Sequence, residues 1–251
     1  MLEWWHYLLL ALAGLAGGFI DAIAGGGGLI TVPALLWAGL PAQLALGTNK
    51  LQSSCGTTLA VVRYTRAGLI AWRTLRLAVV VTFIAAVLGV WCVHTLDDAL
   101  LARIVPVLLF IIAIYTALNP GLGKRPRAAR INAVVFALVF GAMLGFYDGF
   151  FGPGTGSFWM LACVLTLGQD LRTATGTTKA LNLTSNVASL IAFAFADCLR
   201  WDVGAAMIVG QLLGARLGSG LVVARGAKII RPIFIATALA LAVWLLRKSF
   251  A

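Results

Sequence analysis

Long apolar stretches alternate with short polar ones over almost the whole chain. Ten apolar segments can be distinguished, and several approach the length of about 20 residues that a helix needs to cross a bilayer. They run over 7–24, 29–42, 45–62, 76–95, 99–118, 131–151, 157–168, 173–196, 203–224 and 232–246. The second and seventh are short, and the second contains Pro33 and Pro41, so we expect half-helices or re-entrant pieces there. The pattern predicts an all-α, multi-pass membrane protein.

The polar residues within these segments occur in two matched copies. Gly18-Phe19-Ile20-Asp21 and the glycines 25–28 return as Gly145-Phe146-Tyr147-Asp148 and the glycine-rich stretch 152–156. Gly47-Thr48-Asn49-Lys50 likewise returns as Gly176-Thr177-Thr178-Lys179. The sequence therefore predicts two homologous transmembrane halves, residues 1–120 and 131–251, with a basic linker at 121–130.

Composition agrees with a protein that sits in lipid. Hydrophobic residues make up 61% of the 251 residues and charged residues only 11%, which is too little polar surface for a soluble globule. The net charge of +11 could suggest a nucleic-acid partner, but the basic residues lie between the apolar segments, as in the loops of a membrane protein. We therefore expect the lipid bilayer, and no nucleic acid, as a partner.

Cysteine and histidine give no sign of a metal or redox site. The four cysteines are scattered without a C-x-x-C pair, and His6 and His94 stand alone near segment ends. An enzyme would need a nucleophile, a base or a metal set, and the sequence contains no such set. We therefore expect no cofactor and no enzymatic activity.

Loop charges predict that the two halves have opposite orientations. The loop at 63–76 has four arginines and no acidic residue, whereas its counterpart at 197–202 has two acidic residues and one arginine. The next pair of loops, 97–103 and 225–231, shows the reverse. Under the positive-inside rule the repeats are inverted, with five crossings each, the linker inside and both termini outside. The C-terminal Arg247-Lys248 argues against this, so between eight and ten crossings remain open.

The two glycine-rich stretches are the predicted breaks in the helices. Glycine is a poor residue for a helix interior, and the backbone groups it frees need partners in protein or in a wet cavity. A half-helix that starts at such a break directs its N–H groups and its positive dipole end at the cavity, which favours an anion. Close packing of helices is the alternative role for these glycines.

Each buried lysine is followed by polar residues on the same helical face. Ser53, Ser54 and Thr57 follow Lys50, and Asn182 and Asn186 follow Lys179. A cation with neutral donors beside it suits a small oxyanion, although single Ser or Asn residues could instead link helices. The predicted substrate-binding residues are Lys50, Lys179, Gly25, Gly26, Gly27, Gly28, Gly152, Gly154, Thr155, Gly156, Thr48, Asn49, Ser53, Thr177, Thr178, Asn182 and Asn186.

Asp21 and Asp148 are the predicted coupling residues. A charge at membrane depth costs several kcal/mol, so one that is present in both halves indicates a function. Each aspartate could pair with a lysine when no substrate is bound, or it could take up and release a proton. The sequence does not separate these two roles.

These motifs together resemble the sulfite exporter TauE/SafE family of membrane permeases. The resemblance rests on the glycine-rich run from Gly17 to Pro33, on Ala45-Leu46-Gly47-Thr48-Asn49-Lys50, on the basic loop before Trp72, and on their second copy after residue 145. It implies a carrier in the bacterial plasma (inner) membrane for sulfite, sulfonates, thiosulfate, sulfoacetate or some organic acids, often in export. The second copy has Gly-Pro-Gly-Thr-Gly in place of the plain glycine run, and Thr178 in place of Asn49, so the substrate stays open.

The sequence thus predicts a secondary carrier that binds a small anion near the bilayer midplane between two inverted halves, with a proton as coupling ion. A passive anion channel is the alternative, because it would use the same lining. A monomer and a homodimer are both compatible with the sequence.

Overall fold

A computed structural model of the protein describes residues 3–93, 126–226, 228–230, 232–233 and 236. All regular structure in these residues is helical. The predicted segment at 99–118, nearly all of that at 232–246, the loop at 97–103 and residues 121–125 of the central linker lie outside the described residues.

The described helices form two matched series of four. The first series consists of α1 (Trp4–Ala24), α2 (Gly28–Trp37), α3 (Ala42–Arg66) and α4 (Trp72–Val93). The second consists of α5 (Ala133–Phe150), α6 (Thr155–Thr166), α7 (Leu171–Phe195) and α8 (Trp201–Arg225). Eight of the ten predicted segments correspond to these helices within a few residues, and the two short ones are α2 and α6.

Local sequence explains where several helices begin and end. Asp170 caps α7, because its carboxylate accepts hydrogen bonds from the backbone N–H groups of Arg172 (2.9 Å) and Thr173 (3.1 Å). Asn132 caps α5 in the same way through the N–H of Val135 (2.8 Å). Helix α2 is followed by Gly39, whose φ of 85° is readily adopted by glycine, and the chain then turns into α3.

The outer helices α1, α4, α5 and α8 are long and apolar enough to cross a membrane. Each of them exposes large aliphatic side chains on its outward face. Leu12, Ile84, Leu138 and Val209 are all more than half exposed. Such a surface would be unfavourable in water, so the structure describes a protein whose outer face lies in lipid.

The inner helices α3 and α7 are equally long but carry the polar residues. Lys50 and Lys179 are almost completely buried, and so are most of the neighbouring Ser, Thr and Asn side chains. The two helices pack on each other in opposite directions. Gly47, near the start of α3, lies against Cys198 just after α7, and Gly176, near the start of α7, lies against Leu69 just after α3.

Each half packs its first helix on the last described helix of the other half. Helix α1 lies along α8, with Gly14 against Met207 and Gly214 against Leu15. Helix α5 lies along α4, with Gly149 against Ala86. At each of these glycines an added Cβ would overlap the facing backbone, so the close approach requires the missing side chain.

Helix α5 differs from its counterpart α1 in one respect. Five of its residues, Ala137–Gly141, form a π-helical turn, whereas α1 is α-helical throughout. A π turn accommodates one extra residue and often lies near a functional site. This turn lies two helical turns before Asp148.

Candidate functional site

The breaks after α1 and α5 meet at the centre of the structure. Gly25 and Gly26 have φ values of 73° and 108°, and Gly152 and Gly154 have values of 92° and 87°. These conformations are costly for a residue with a side chain, which explains the glycines. Gly25 also lies directly against Gly156, so closely that a Cβ on either residue would overlap the other backbone. The two breaks are therefore in contact.

Two helix starts and two helix ends converge at this contact. Helices α1 and α5 end here with their carbonyl groups, and α2 and α6 begin here with their N–H groups. The first N–H groups of a helix have no partner within it and carry the positive end of the helix dipole. The N–H of Gly27, for example, points to Asp21 Oδ1 at 3.4 Å. The start of α2 therefore stabilises a nearby negative charge.

A small polar cavity lies between the breaks and the inner helices. It leaves about 20 Å³ for the centre of a water-sized molecule, which is slightly more than the roughly 10–15 Å³ that one water needs. A larger solute would require the surrounding helices to move apart. The lining consists of Asp21, Gly26, Gly28, Asn49, Lys50, Ser53, Asp148, Gly152, Gly154, Thr155, Gly156, Asn182 and Asn186.

Two ion pairs connect the halves at this level. Lys50 Nζ of the first half lies 2.8 Å from Asp148 Oδ1 of the second, and Lys179 Nζ of the second half lies 2.9 Å from Asp21 Oδ2 of the first. All four side chains are at most 10% exposed. Because a buried charge without a partner is costly, the pairs account for the presence of four ionised groups at this depth.

The surroundings of the two aspartates differ. Asp21 accepts hydrogen bonds from Lys179, from Thr57 Oγ1 at 3.4 Å and from the N–H of Gly27. Asp148 interacts with Lys50 through Oδ1, whereas its Oδ2 is buried and has no hydrogen-bond partner among the described residues. One carboxylate thus has several donors, and the other keeps an unused acceptor atom.

Asn49 lines the cavity, and its amide oxygen is engaged by neighbouring side chains. Its Oδ1 accepts hydrogen bonds from Thr31 Oγ1 (2.6 Å), Gln52 Nε2 (2.8 Å) and Ser53 Oγ (3.5 Å). Three donors occupy the oxygen, so the NH₂ group is the part of Asn49 that can donate to a solute. Its counterpart Thr178 does not line the cavity, although it is completely buried.

The structure brings most of the residues predicted from the sequence to the cavity, but not all. Thr48 lies towards the end of the bundle, where its Oγ1 accepts a hydrogen bond from the N–H of Arg200 at 3.0 Å. Six predicted substrate-binding residues are absent from the lining: Gly25, Gly27, Thr48, Thr177, Thr178 and Lys179. The sequence interpretation missed Thr31 and Gln52, which hold Asn49 in place. The other polar residues were predicted because they lie on the same helical face as Lys50, and Gln52 does not lie on that face. Gln52 does lie one helical turn after Asn49, which is the spacing that allows the two side chains to meet.

Comparisons with known proteins cover most of the chain. The family model described as "Sulfite exporter TauE/SafE" matches residues 10–245. A "Probable membrane transporter protein" of Haemophilus influenzae is 41% identical over 227 residues, which cover 90% of this chain and 89% of that protein. The "Probable membrane transporter protein YfcA" of Escherichia coli K12 is 42% identical over 227 residues (90% and 84%). The "Probable membrane transporter protein ORF9" of a Sinorhizobium species is 43% identical over 237 residues (94% and 91%).

Proposed function

Because the chain belongs to the sulfite exporter TauE/SafE family, we propose that it is a proton-coupled secondary carrier of a small sulfur-containing or organic anion. Family membership makes the chain a membrane transporter, in agreement with the names of its relatives. The anion class, namely sulfite, sulfonate or thiosulfate, the coupling to protons, and the location in the bacterial plasma (inner) membrane are the proposed parts.

The observation that supports an anionic substrate is the position of Lys50. Its amine borders a polar cavity at which two helices begin, and Asn49 and Asn182 line the same cavity. The site combines a full positive charge, helix-terminal N–H groups and amide donors. These groups together can bind oxygen atoms that carry negative charge. Sulfite, thiosulfate and sulfonates all present such oxygens.

The ion pair of Lys50 with Asp148 supports the coupling to protons. The Asp148 carboxylate occupies the place next to Lys50 that an anionic substrate would take. An anion that entered beside an ionised Asp148 would leave an extra negative charge in a buried site, which costs several kcal/mol. Uptake of one proton together with one negative charge avoids that cost. Because the cavity is small, entry also requires the helices to separate on one side at a time.

We also propose that residues 1–120 and 131–251 are inverted repeats joined by the basic linker at 121–130. The opposite directions of α3 and α7 support the inversion, because equivalent helices of inverted repeats cross the membrane in opposite directions. Charge supports it as well. Arg63 and Arg172 donate hydrogen bonds to backbone carbonyls in the C-terminal half of α8, towards the arginine-rich end of the bundle. Asp202 accepts a hydrogen bond from Tyr7 (2.8 Å) at the other end.

Reporter fusions test this arrangement. Enzymes that are active on only one side of the membrane would be fused after residues 70 and 199. We expect opposite sides, with residue 70 in the cytoplasm. The same side for both positions would exclude inverted repeats.

Transport measurements with the purified protein in liposomes test the carrier. Radiolabelled sulfite, thiosulfate and sulfoacetate would be offered one at a time, with and without the unlabelled anion inside and with and without a pH gradient. A carrier accumulates label against its gradient when unlabelled anion leaves, and a channel does not. We expect such exchange for at least one of the anions, with acceleration by a proton gradient. Equilibration without exchange would indicate the channel, and no uptake of any of these anions would contradict the proposed substrate class.

A further inference from the structure

We propose that the two ion pairs have different tasks, an inference that rests on the proposed carrier function. Lys50 and Asp148 form the exchangeable pair, in which the anion replaces Asp148 at Lys50 while Asp148 takes up a proton. Lys179 and Asp21 form the structural pair, which holds the two halves together throughout transport. The sequence alone does not distinguish the two pairs, because each consists of one lysine and one aspartate at equivalent positions of the two motif copies.

The position of the two lysines is the first observation. Lys50 lines the cavity, whereas Lys179 does not. The Lys179 side chain is completely buried, and its amine is in contact with Asp21, which does reach the cavity. A solute in the cavity therefore meets the Lys50 amine directly but meets Lys179 only beyond Asp21.

The partners of the two aspartates are the second observation. Asp21 is held by Lys179, Thr57 and the N–H of Gly27, so both of its carboxylate oxygens have hydrogen-bond donors. Asp148 has Lys50 at one oxygen and no hydrogen-bond partner, among the described residues, at the other. When Lys50 binds another anion instead, the form of Asp148 that fits this buried site is the protonated, neutral one.

The helix that carries Asp148 is the third observation. Helix α5 contains the π turn Ala137–Gly141, and α1, which carries Asp21, contains none. A π turn can shift along a helix or relax to α geometry with little loss of hydrogen bonds, and either change rotates the residues beyond it. Asp148 can thus move relative to Lys50 without unfolding of α5.

The charges around Asp148 are few and balanced. Lys50 faces it from α3, Asp21 and Lys179 form a neutral pair on α1 and α7, and Tyr147 precedes it on α5. Helix α6 contains no ionisable residue except Cys163, and α4 has its arginines, Arg73 and Arg76, within its first five residues. In the exchange the Lys50 ammonium stays protonated, the anion contributes one negative charge, and a proton from the aqueous side that is open adds to Asp148. The site is neutral before and after the step for a monoanion.

Neutral variants of the aspartates separate the two tasks. Asp148→Asn imitates the protonated carboxyl group, and Asp21→Asn combined with Lys179→Gln removes the structural pair without leaving a single charge. The readout is a ratio, namely the rate of radiolabelled sulfite exchange with a pH gradient divided by the rate of exchange without a gradient. We expect Asp148→Asn to exchange sulfite but to have a ratio near one at every pH. The Asp21→Asn/Lys179→Gln protein should be slower but should keep the wild-type ratio.

Either of two results would overturn the inference. The first is a wild-type ratio in Asp148→Asn, and the second is a ratio near one in the Asp21→Asn/Lys179→Gln protein. In either case proton coupling would depend on residues other than Asp148 alone. Thermal unfolding in detergent shows which variants are folded, and a ratio is scored only for folded protein. Asp148→Glu serves as the conservative control, because it keeps the acid and should restore the dependence on the pH gradient.

A labelling experiment tests the asymmetry without any transported solute. In a chain with Cys55, Cys92, Cys163 and Cys198 replaced by alanine, Lys50→Cys and Lys179→Cys would be exposed to sulfonatoethyl methanethiosulfonate, a small anionic thiol reagent. We expect Lys50→Cys to react at least roughly ten times faster, because only position 50 lines the cavity. Equal rates, or faster reaction at position 179, would overturn the inference. If the wild type transports none of the tested anions but position 50 reacts selectively, the proposed substrate class fails and the asymmetry of the pairs stands.

Discussion

Helices α3 and α7 are equivalent in sequence and packing but present different groups to the cavity. Helix α3 contributes the amine of Lys50, the amide of Asn49 and the hydroxyl of Ser53. Helix α7 contributes the neutral side chains of Asn182 and Asn186, while its lysine lies behind Asp21. At the cavity, α3 thus supplies positive charge together with neutral polar groups, whereas α7 supplies neutral polar groups alone. Equivalent positions in a repeat do not guarantee equivalent roles.

The largest effect should follow the loss of the α7 lysine. Lys179→Met leaves the buried Asp21 carboxylate without its counter-ion, so we expect destabilisation by about 3–5 kcal/mol. The thermal unfolding midpoint of the detergent-purified protein measures this. Lys179→Met combined with Asp21→Asn is the matched control and should recover most of the loss. If the double variant is as unstable as the single one, the charge of Asp21 is not the cause.

Loss of the α3 lysine should affect transport more than stability. Lys50→Gln removes the cation at the cavity, and we expect exchange of radiolabelled sulfite to fall at least roughly 100-fold, which corresponds to about 2.7 kcal/mol. The unfolding midpoint should fall less than in Lys179→Met, because the proposed exchange already requires Asp148 to become neutral by taking up a proton whenever Lys50 binds another anion. Equal losses of stability in both variants would make the two pairs equivalent.

Alanine at the equivalent glycines Gly25 and Gly152 should sharpen the comparison. Both have positive φ, which costs about 1 kcal/mol in each case. A Cβ at Gly25 would overlap the backbone of Gly156, whereas one at Gly152 would lie 2.9 Å from the movable amine of Lys50. We expect Gly25→Ala to destabilise the protein by about 2 kcal/mol or more, and Gly152→Ala mainly to slow transport.

Gly39 provides the control for those two variants. It has a φ of 85°, and a Cβ there would have no atom within 4 Å. Gly39→Ala therefore measures the cost of the backbone conformation alone, as a shift in unfolding midpoint. A loss in Gly25→Ala no greater than in Gly39→Ala would show that the contact between the breaks is not tight.

The smallest effect concerns the second difference between the inner helices. Asn49→Thr gives α3 the residue that α7 has at this position and removes an amide donor from the cavity lining. We expect a loss of roughly tenfold in the apparent affinity for sulfite, or about 1.4 kcal/mol, as for one hydrogen bond to a charged group. Thr178→Val, outside the cavity lining, should change the affinity less. A larger effect at Thr178 would reverse the assignment of the two halves.

Much of this architecture follows from the sequence because its causes are local. A run of apolar residues of sufficient length defines each outer helix, and glycines that cannot continue a helix define the breaks after Asp21 and after Asp148. The family assignment from the doubled motifs is confirmed by the family model and by the relatives.

The pairing within the site has non-local causes. Either lysine could have met either aspartate, and Lys179 is separated from its partner Asp21 by 158 positions in the chain. Which lysine borders the cavity depends on how α3 and α7 rotate when they pack against the breaks, and a motif that is the same in both copies contains no information about that rotation. Thr31 was missed for a related reason, because it lies on another helix than Asn49 and contacts it only through the fold.

The exchange of packing partners between the halves has a consequence for the assembly of the chain. Among the described helices, α1 lies on α8 and α5 lies on α4, so each half packs its first helix against the other half rather than against its own last helix. A chain cut in the central linker should therefore work only when both pieces are made in the same cell.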